Sequence, residues 1–139
     1  RERGFREVCP AGSRVFETET VDIERGEEVL EQLLAEFPEV DGIACAGDTL
    51  AVGVLQGLRK RGRRVPEDVQ VLGFDDQPMM DVLGISTVHQ PMSEFGRWAA
   101  ESIIELIKDP NATPRPSALL DLTLIPRQTT ALPGKVPGR

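Results

Sequence analysis

Apolar residues recur along this chain in two alternating rhythms. From Glu24 onward Val29, Leu30, Leu33, Leu34 and Phe37 return every three or four positions, the stripe of one helix face, and Pro38 stops it. Asp41-Gly42 turns the chain into a short apolar strand at residues 43–46. A second helix is expected from about Thr49 to Arg61, closed by Gly62, and a second strand at residues 69–74, with Pro66 between them as a helix breaker. An apolar loop at residues 78–85 and a short strand at 86–89 follow. Pro91 suits the first turn of a helix reaching about Lys108, with Phe95, Trp98, Ala99, Ser102 and Leu106 on one face. Near the start, residues 1–9 read as the tail of a helix ended by Pro10-Ala11-Gly12. Val15, Glu17 and Glu19 alternate with Phe16 and Thr18, which predicts a strand at 14–19. Leu120, Leu122 and Leu124 alternate with Asp121 and Thr123 in a last strand with one exposed or edge face. Residues 131–139, rich in Pro and Gly, are expected to form a mobile tail.

Strands alternating with helices predict an α/β fold with a parallel sheet. In such sheets the carboxyl ends of the strands face the ligand crevice. Residues 64–76 therefore hold the most informative chemistry. Val69, Val71 and Leu72 start a strand, Gly73-Phe74 closes it, and Asp75 and Asp76 stand at its carboxyl end. A carboxylate there accepts hydrogen bonds in a fixed plane and suits sugar hydroxyls or purine N–H groups. An aspartate before Pro78 can equally serve the turn itself. Asp48 precedes a helix and follows a strand, the position of an N-cap, and Thr49 could share that duty.

With 139 residues the chain has one domain's worth of core. Its net charge of −7 argues that this segment does not itself grip a nucleic acid backbone. The one basic run, residues 59–64, fits solvated cations at a helix C-terminus. No apolar run approaches the roughly 18 residues of a membrane span, and no signal peptide is visible, so no membrane partner is expected. Two cysteines without a CxxC or Cys/His set predict no metal site and a reducing, cytoplasmic home. Asp48 with Asp75-Asp76 could suggest a magnesium or phosphoacceptor site. That chemistry also wants a strand-end Lys and a Ser/Thr beside the acids, and neither placement is evident. No P-loop, GxGxxG or Ser-His-Asp order occurs, so neither an enzyme nor a cofactor is expected.

The run from Arg64 to Asp76 resembles the "VPEDVSVVGFDD" signature of the LacI/GalR family of transcriptional regulators, with Gln70 and Leu72 as departures. Arg1-Glu2-Arg3-Gly4-Phe5 is similar to the family's "R-x-x-G-F", and Ala46-Gly47-Asp48-Thr49-Leu50-Ala51-Val52-Gly53 to its "A-N-D-x-x-A-x-G". Ser86-Thr87-Val88-His89-Gln90-Pro91 resembles "T-T-V-x-Q-P", and Arg127-Gln128-Thr129-Thr130 the usual "R-x-S/T-T". Five motifs in family order, from residue 1 to about 130, make the match specific.

The resemblance implies a periplasmic-binding-protein-like type I fold, two lobes with a ligand between them. Residues 1–130 would form the C-terminal, three-layer α/β lobe of an effector-binding and dimerisation domain. A crossover near residues 88–91 would lead into a helix at 91–108 that belongs partly to the other lobe. That other lobe, the lobe's own first strand and a DNA-reading helix-turn-helix would lie upstream. The implied protein is a cytoplasmic transcription regulator, expected to be a repressor, that answers to a sugar-like or purine-like effector. It would meet DNA only through the helix-turn-helix. The alternative is a periplasmic sugar-binding protein of a transport system.

The resemblance places Asp75, Arg1, Asp48, Gln90 and Val21 at the effector. It also marks two departures: Gly47 stands where the family usually has Asn, and Val21 where many members carry an aromatic residue. His89 reads as a strand-end residue. Residues 50–55 are apolar around most of their helix and residues 78–85 are rich in apolar groups, so each is either deeply buried or an interface. The resemblance assigns them to a homodimer interface, with Val52, Leu55, Met79, Met80 and Leu83 as contacts.

Overall fold

The computed structural model describes residues 2–111, residue 113 and residues 121–131. In chain order the elements are α1 (Glu2–Val8), α2 (Ile23–Glu36), β1 (Gly42–Ala44), α3 (Asp48–Lys60), β2 (Gln70–Asp75), α4 (Met79–Leu83), β3 (Ser86–His89), α5 (Met92–Lys108) and β4 (Thr123–Ile125). The strands form one sheet in the order β1-β2-β3-β4. The β1/β2 and β2/β3 pairs are parallel, and β4 runs antiparallel to β3.

The helical stripe of α2 starts where Asp22 accepts a hydrogen bond from the Arg25 amide at 2.8 Å. Leu30 of α2 meets Ala51, Val54 and Leu58 of α3 in a core that continues to Val69, Val71, Met80 and Ile85. The two helices approach backbone to backbone. A Cβ on Gly53 would stand 2.0 Å from the Ile23 carbonyl oxygen, and one on Gly26 2.4 Å from that of Leu50. Packed against both α2 and β2, α3 is apolar around most of its circumference because two of its faces are covered by this same chain. That corrects the interface expectation: Val52, Leu55 and Met80 keep only 4%, 2% and 0% of their surface exposed and are core residues. Leu83 is half-buried against the same core, and Met79 alone of the five is exposed. Each such fully buried aliphatic side chain contributes roughly 1.5–3 kcal/mol.

Residues 127–131 close the opposite side. The Val71 amide donates to the Thr129 carbonyl at 2.9 Å, and the Thr129 hydroxyl donates to the Val71 carbonyl at 2.7 Å. That hydroxyl also accepts from the Ser86 amide at 2.8 Å. The amide of Arg127 donates to Ser86 Oγ at 2.8 Å.

Two further expectations change. Residues 14–19 carry no strand ladder, although their side chains alternate as a strand's do. Alternation fixes which way side chains point; a ladder also needs a neighbour's N–H and C=O. Between this segment and β1 lies a cleft of about 920 Å³, lined by Phe5, Phe16, Leu33, Phe37, Ile43 and Leu72 among others. The loop at 78–85 contains the one-turn helix α4, which drives Met80 into the core. α5 has no buried residue, and Ile103, Ile104 and Ile107 are exposed on it. The sequence expectations for Leu120 and for residues 132–139 lie outside the described residues.

Candidate functional site

The carboxyl ends of β2 and β3 bring the acids of the chain together. Asp48, the first residue of α3, is fully buried there. Its carboxylate accepts the Thr87 hydroxyl at 2.6 Å and the Gln77 amide at 2.7 Å. Gly73 makes the room, since a Cβ at that position would stand 2.3 Å from Asp48 Oδ1. The N-cap of α3 is Gly47, which brings no side chain. Asp48 is thus neither an N-cap nor a ligand contact. It is an internal tie from α3 to β3 and to the turn after β2, and its burial withdraws it from any effector. Beside it, burial pushes the Cys45 thiol up to about 12, and the Asp48 charge pushes in the same direction.

The two neighbouring acids then divide. Asp76 faces Arg127 Nη2 at 2.9 Å and His89 Nδ1 at 3.0 Å, and its amide donates to Thr87 Oγ1 at 3.3 Å. Burial alone would raise the pKa of Asp76, but the hydrogen bonds from Arg127 and His89 outweigh it and hold the carboxyl below its usual range. Asp76 is a structural anchor, more heavily bound than a turn former. Asp75 instead turns to the mouth of the site, where its Oδ1 accepts a hydrogen bond from Gln90 Nε2. Both acids sit at positive φ, 116° for Asp75 and 58° for Asp76. Residues other than glycine hold such angles at a cost on the order of 1–3 kcal/mol, and such strain gathers at functional sites.

Asp75 and Gln90 line a cleft of about 670 Å³ together with His89, Met92 and Glu94 from the start of α5. On the other side of Asp75 stand Gly47 and Val21. A Cβ on Gly47 would lie 3.7 Å from Asp75 Oδ2 and 2.8 Å from Val21 Cγ1. The Thr49 hydroxyl donates to the Val21 carbonyl at 3.0 Å, fixing that loop to the start of α3. Of the five residues expected at an effector, Asp75, Gln90 and Val21 therefore share one region, Asp48 lies beneath it, and Arg1 is outside the described residues.

Sequence reasoning missed Thr87, Gln77 and Arg127 as members of this network. The signal was there for two of them, because Thr87 and Arg127 stand inside the quoted motifs. Among the described residues no three His, Cys, Asp or Glu side chains are placed to hold a metal ion, and no helix is long and apolar enough to cross a membrane. The arrangement offers a carboxylate and a side-chain amide to a hydrogen-bonding ligand.

The model of the periplasmic binding protein-like domain matches residues 1–130. Over 119 residues the chain is 33% identical to the ribose operon repressor of Bacillus subtilis, covering 84% of this chain and 36% of that protein. It is 37% identical to the HTH-type transcriptional regulator GntR of Pseudomonas aeruginosa, over 94% of this chain and 40% of the relative. A solved structure of a LacI family transcriptional regulator from Enterococcus faecalis with bound ribose superposes with a TM-score of 0.79. It is 28% identical and covers 94% of this chain and 48% of its own. The chain thus spans about two-fifths or less of the curated relatives' length.

Proposed function

The chain belongs to the periplasmic binding protein-like family, among its LacI-type transcription regulators, and from that premise we propose that it supplies one wall of an effector site. The observation that carries this reading is Asp75. It is a carboxylate at the carboxyl end of β2, held at positive φ, bonded to Gln90 and facing a cleft. The effector is a small hydroxylated molecule of the sugar class that donates hydrogen bonds to Asp75 and is oriented by Gln90. The names of the repressor relatives favour regulation over transport, and a site of this kind asks for binding, with no catalysis.

Residues 1–130 form the C-terminal lobe, and α5 belongs partly to a second lobe. The exposed Ile103, Ile104 and Ile107 support this, because an amphipathic helix is stable when its apolar face is covered. The cleft between residues 13–18 and β1 receives the lobe's first strand. The whole protein works in the cytoplasm as a homodimer and meets DNA through a helix-turn-helix elsewhere in its chain. Effector binding shifts the dimer between two states of different DNA affinity, which requires that it bind one state better.

Titration of the full-length protein with ribose and other monosaccharides tests this. Asp75→Ala should lower affinity about ten- to a hundredfold, the equivalent of roughly 1.5–3 kcal/mol of charge-assisted hydrogen bonding. Operator binding without effector should survive. Equal affinity in wild type and variant would reduce Asp75 to a turn residue.

A further inference from the structure

The chain leaves β3 for α5 through Gln90-Pro91, one step past the last residue that the sheet holds. That residue is His89, which ends the β2/β3 ladder opposite Asp75 and the β3/β4 ladder opposite Thr123. Pro91 has no N–H to give, and the Gln90 carbonyl is taken locally by the Met92 amide at 2.8 Å. Side chains do the rest. The Gln90 amide donates to Asp75 Oδ1, and the His89 ring reaches past its own ladder partner to Asp76 Oδ2 at 3.0 Å. Two successive residues leaving β3 thus grip two successive acids leaving β2, in crossed order. The two grips differ in firmness. Asp76 is itself held at 2.9 Å by Arg127, whose side chain is only 16% exposed. Asp75 is gripped by a long glutamine side chain, which is costly to order.

We propose that His89 is a positioning residue of the effector site: its bond to Asp76 fixes the crossover so that Gln90 is presented to Asp75. This rests on the reading of Asp75 as the effector-binding acid. The Asp76 carboxylate accepts, so Nδ1 is the ring nitrogen that carries the proton. With Asp76 anchored by Arg127, the ring has a fixed place, and so has the backbone that feeds Gln90 into the cleft. A glutamine oriented beforehand does not have to be ordered by the ligand, which spares affinity. Asparagine is the closest stand-in for the ring, because its side-chain nitrogen lies as many bonds from the backbone as Nδ1. Phenylalanine keeps a ring and has no donor.

The test titrates the full-length protein by calorimetry with D-ribose, D-glucose, D-galactose and cellobiose. His89→Phe should weaken the tightest of these about three- to tenfold, the equivalent of one net hydrogen bond, and His89→Asn should restore it. In a Gln90→Ala background the same His89→Phe change should have no further effect. Amide exchange in the ligand-free protein supplies a second readout: residues 92–96 should exchange faster in His89→Phe than in wild type or His89→Asn. Thermal melting confirms that each variant is folded. An asparagine variant as weak as the phenylalanine one would overturn the inference. So would a loss that persists without Gln90, since the ring lines the cleft and would then be meeting the sugar itself. A loss in Asp75→Ala with none in His89→Phe would overturn the inference and leave the effector reading standing. No loss in Asp75→Ala would overturn both. Binding of none of the four sugars would overturn the sugar reading, and equal amide exchange in all three proteins would overturn the positioning role on its own.

Discussion

At the amino ends of β2 and β3, Val71 and Ser86 hand their backbone amides to Thr129, and Arg127 reaches from the same segment to Asp76. At the β1 side, residues 13–18 lie across a cleft from the strand and make no ladder with it. The first margin is closed by backbone and side-chain hydrogen bonds that imitate a strand's. The second is lined by Phe5, Phe16, Phe37 and Ile43, apolar groups that pack in any direction. Phe16 meets Phe37 edge-on at 6.3 Å, and Arg14 covers the Phe37 ring at 5.5 Å. Directional bonds give one geometry; apolar lining gives adhesion without register. Arg127 carries the directional margin across to Asp76 in the site, where acids have to be held in place.

Both margins rest on the α2–α3 layer, so the largest effect lies there. Val52→Asp places an unpaired carboxylate in the core and should cost about 4 kcal/mol or more, enough to unfold the chain in a denaturant titration. A variant that stays folded and merely loses self-association would restore the interface reading of α3. Thr129→Val keeps the shape and removes the hydroxyl, leaving Ser86 N–H and the Val71 carbonyl without this buried partner. We expect about 3 kcal/mol in urea unfolding, from one lost bond pair and the desolvated groups it strands.

Arg127→Met should cost about 2 kcal/mol at neutral pH through the lost charged hydrogen bond. The pH dependence follows from the depressed pKa of Asp76. Its stabilisation is complete above the ordinary carboxylate pKa and is lost as pH falls through the lower folded value. The gap between wild type and Arg127→Met should therefore shrink below about pH 4, which unfolding curves across an acid series would show. A gap independent of pH would mean that Arg127 acts by packing alone. At the other margin Phe16→Ser should cost no more than about 1 kcal/mol, because its half-buried ring lines an open cleft. A loss as large as that of Thr129→Val would show that the apolar margin is as tightly specified as the polar one.

The sequence made α2, α3, β2 and β3 readable because period and punctuation agree there: the Leu30 stripe ends at Pro38, and the apolar run after Pro66 ends at two acids. The apolar character of most of α3 was equally visible. Periodicity tells how many faces are covered and is silent on what covers them, so Val52 and Leu55 were assigned to a second copy when α2 and the sheet already enclose them. Asp48 was misplaced for a related reason. An aspartate at a helix start usually caps that helix, and only the vacancy at Gly73 shows that this one points across the sheet. Asp75 and Gln90 were legible as motif positions, whereas their hydrogen bond needed the fold.

The bond between Thr129 and Val71 spans 58 positions of chain. A ribosome that has released residues up to 125 has made every strand of this sheet, and still the amide of Val71 has no acceptor and Arg127 has not reached Asp76. Contacts of such separation form late, after the loop-closure entropy has been met. The nascent lobe thus spends the last steps of its synthesis with its middle strand half satisfied, and the R-x-T-T segment acts as the latch that ends this interval. In a cell, the time to translate and dock those few residues sets how long a holdase or protease can compete for the unfinished sheet.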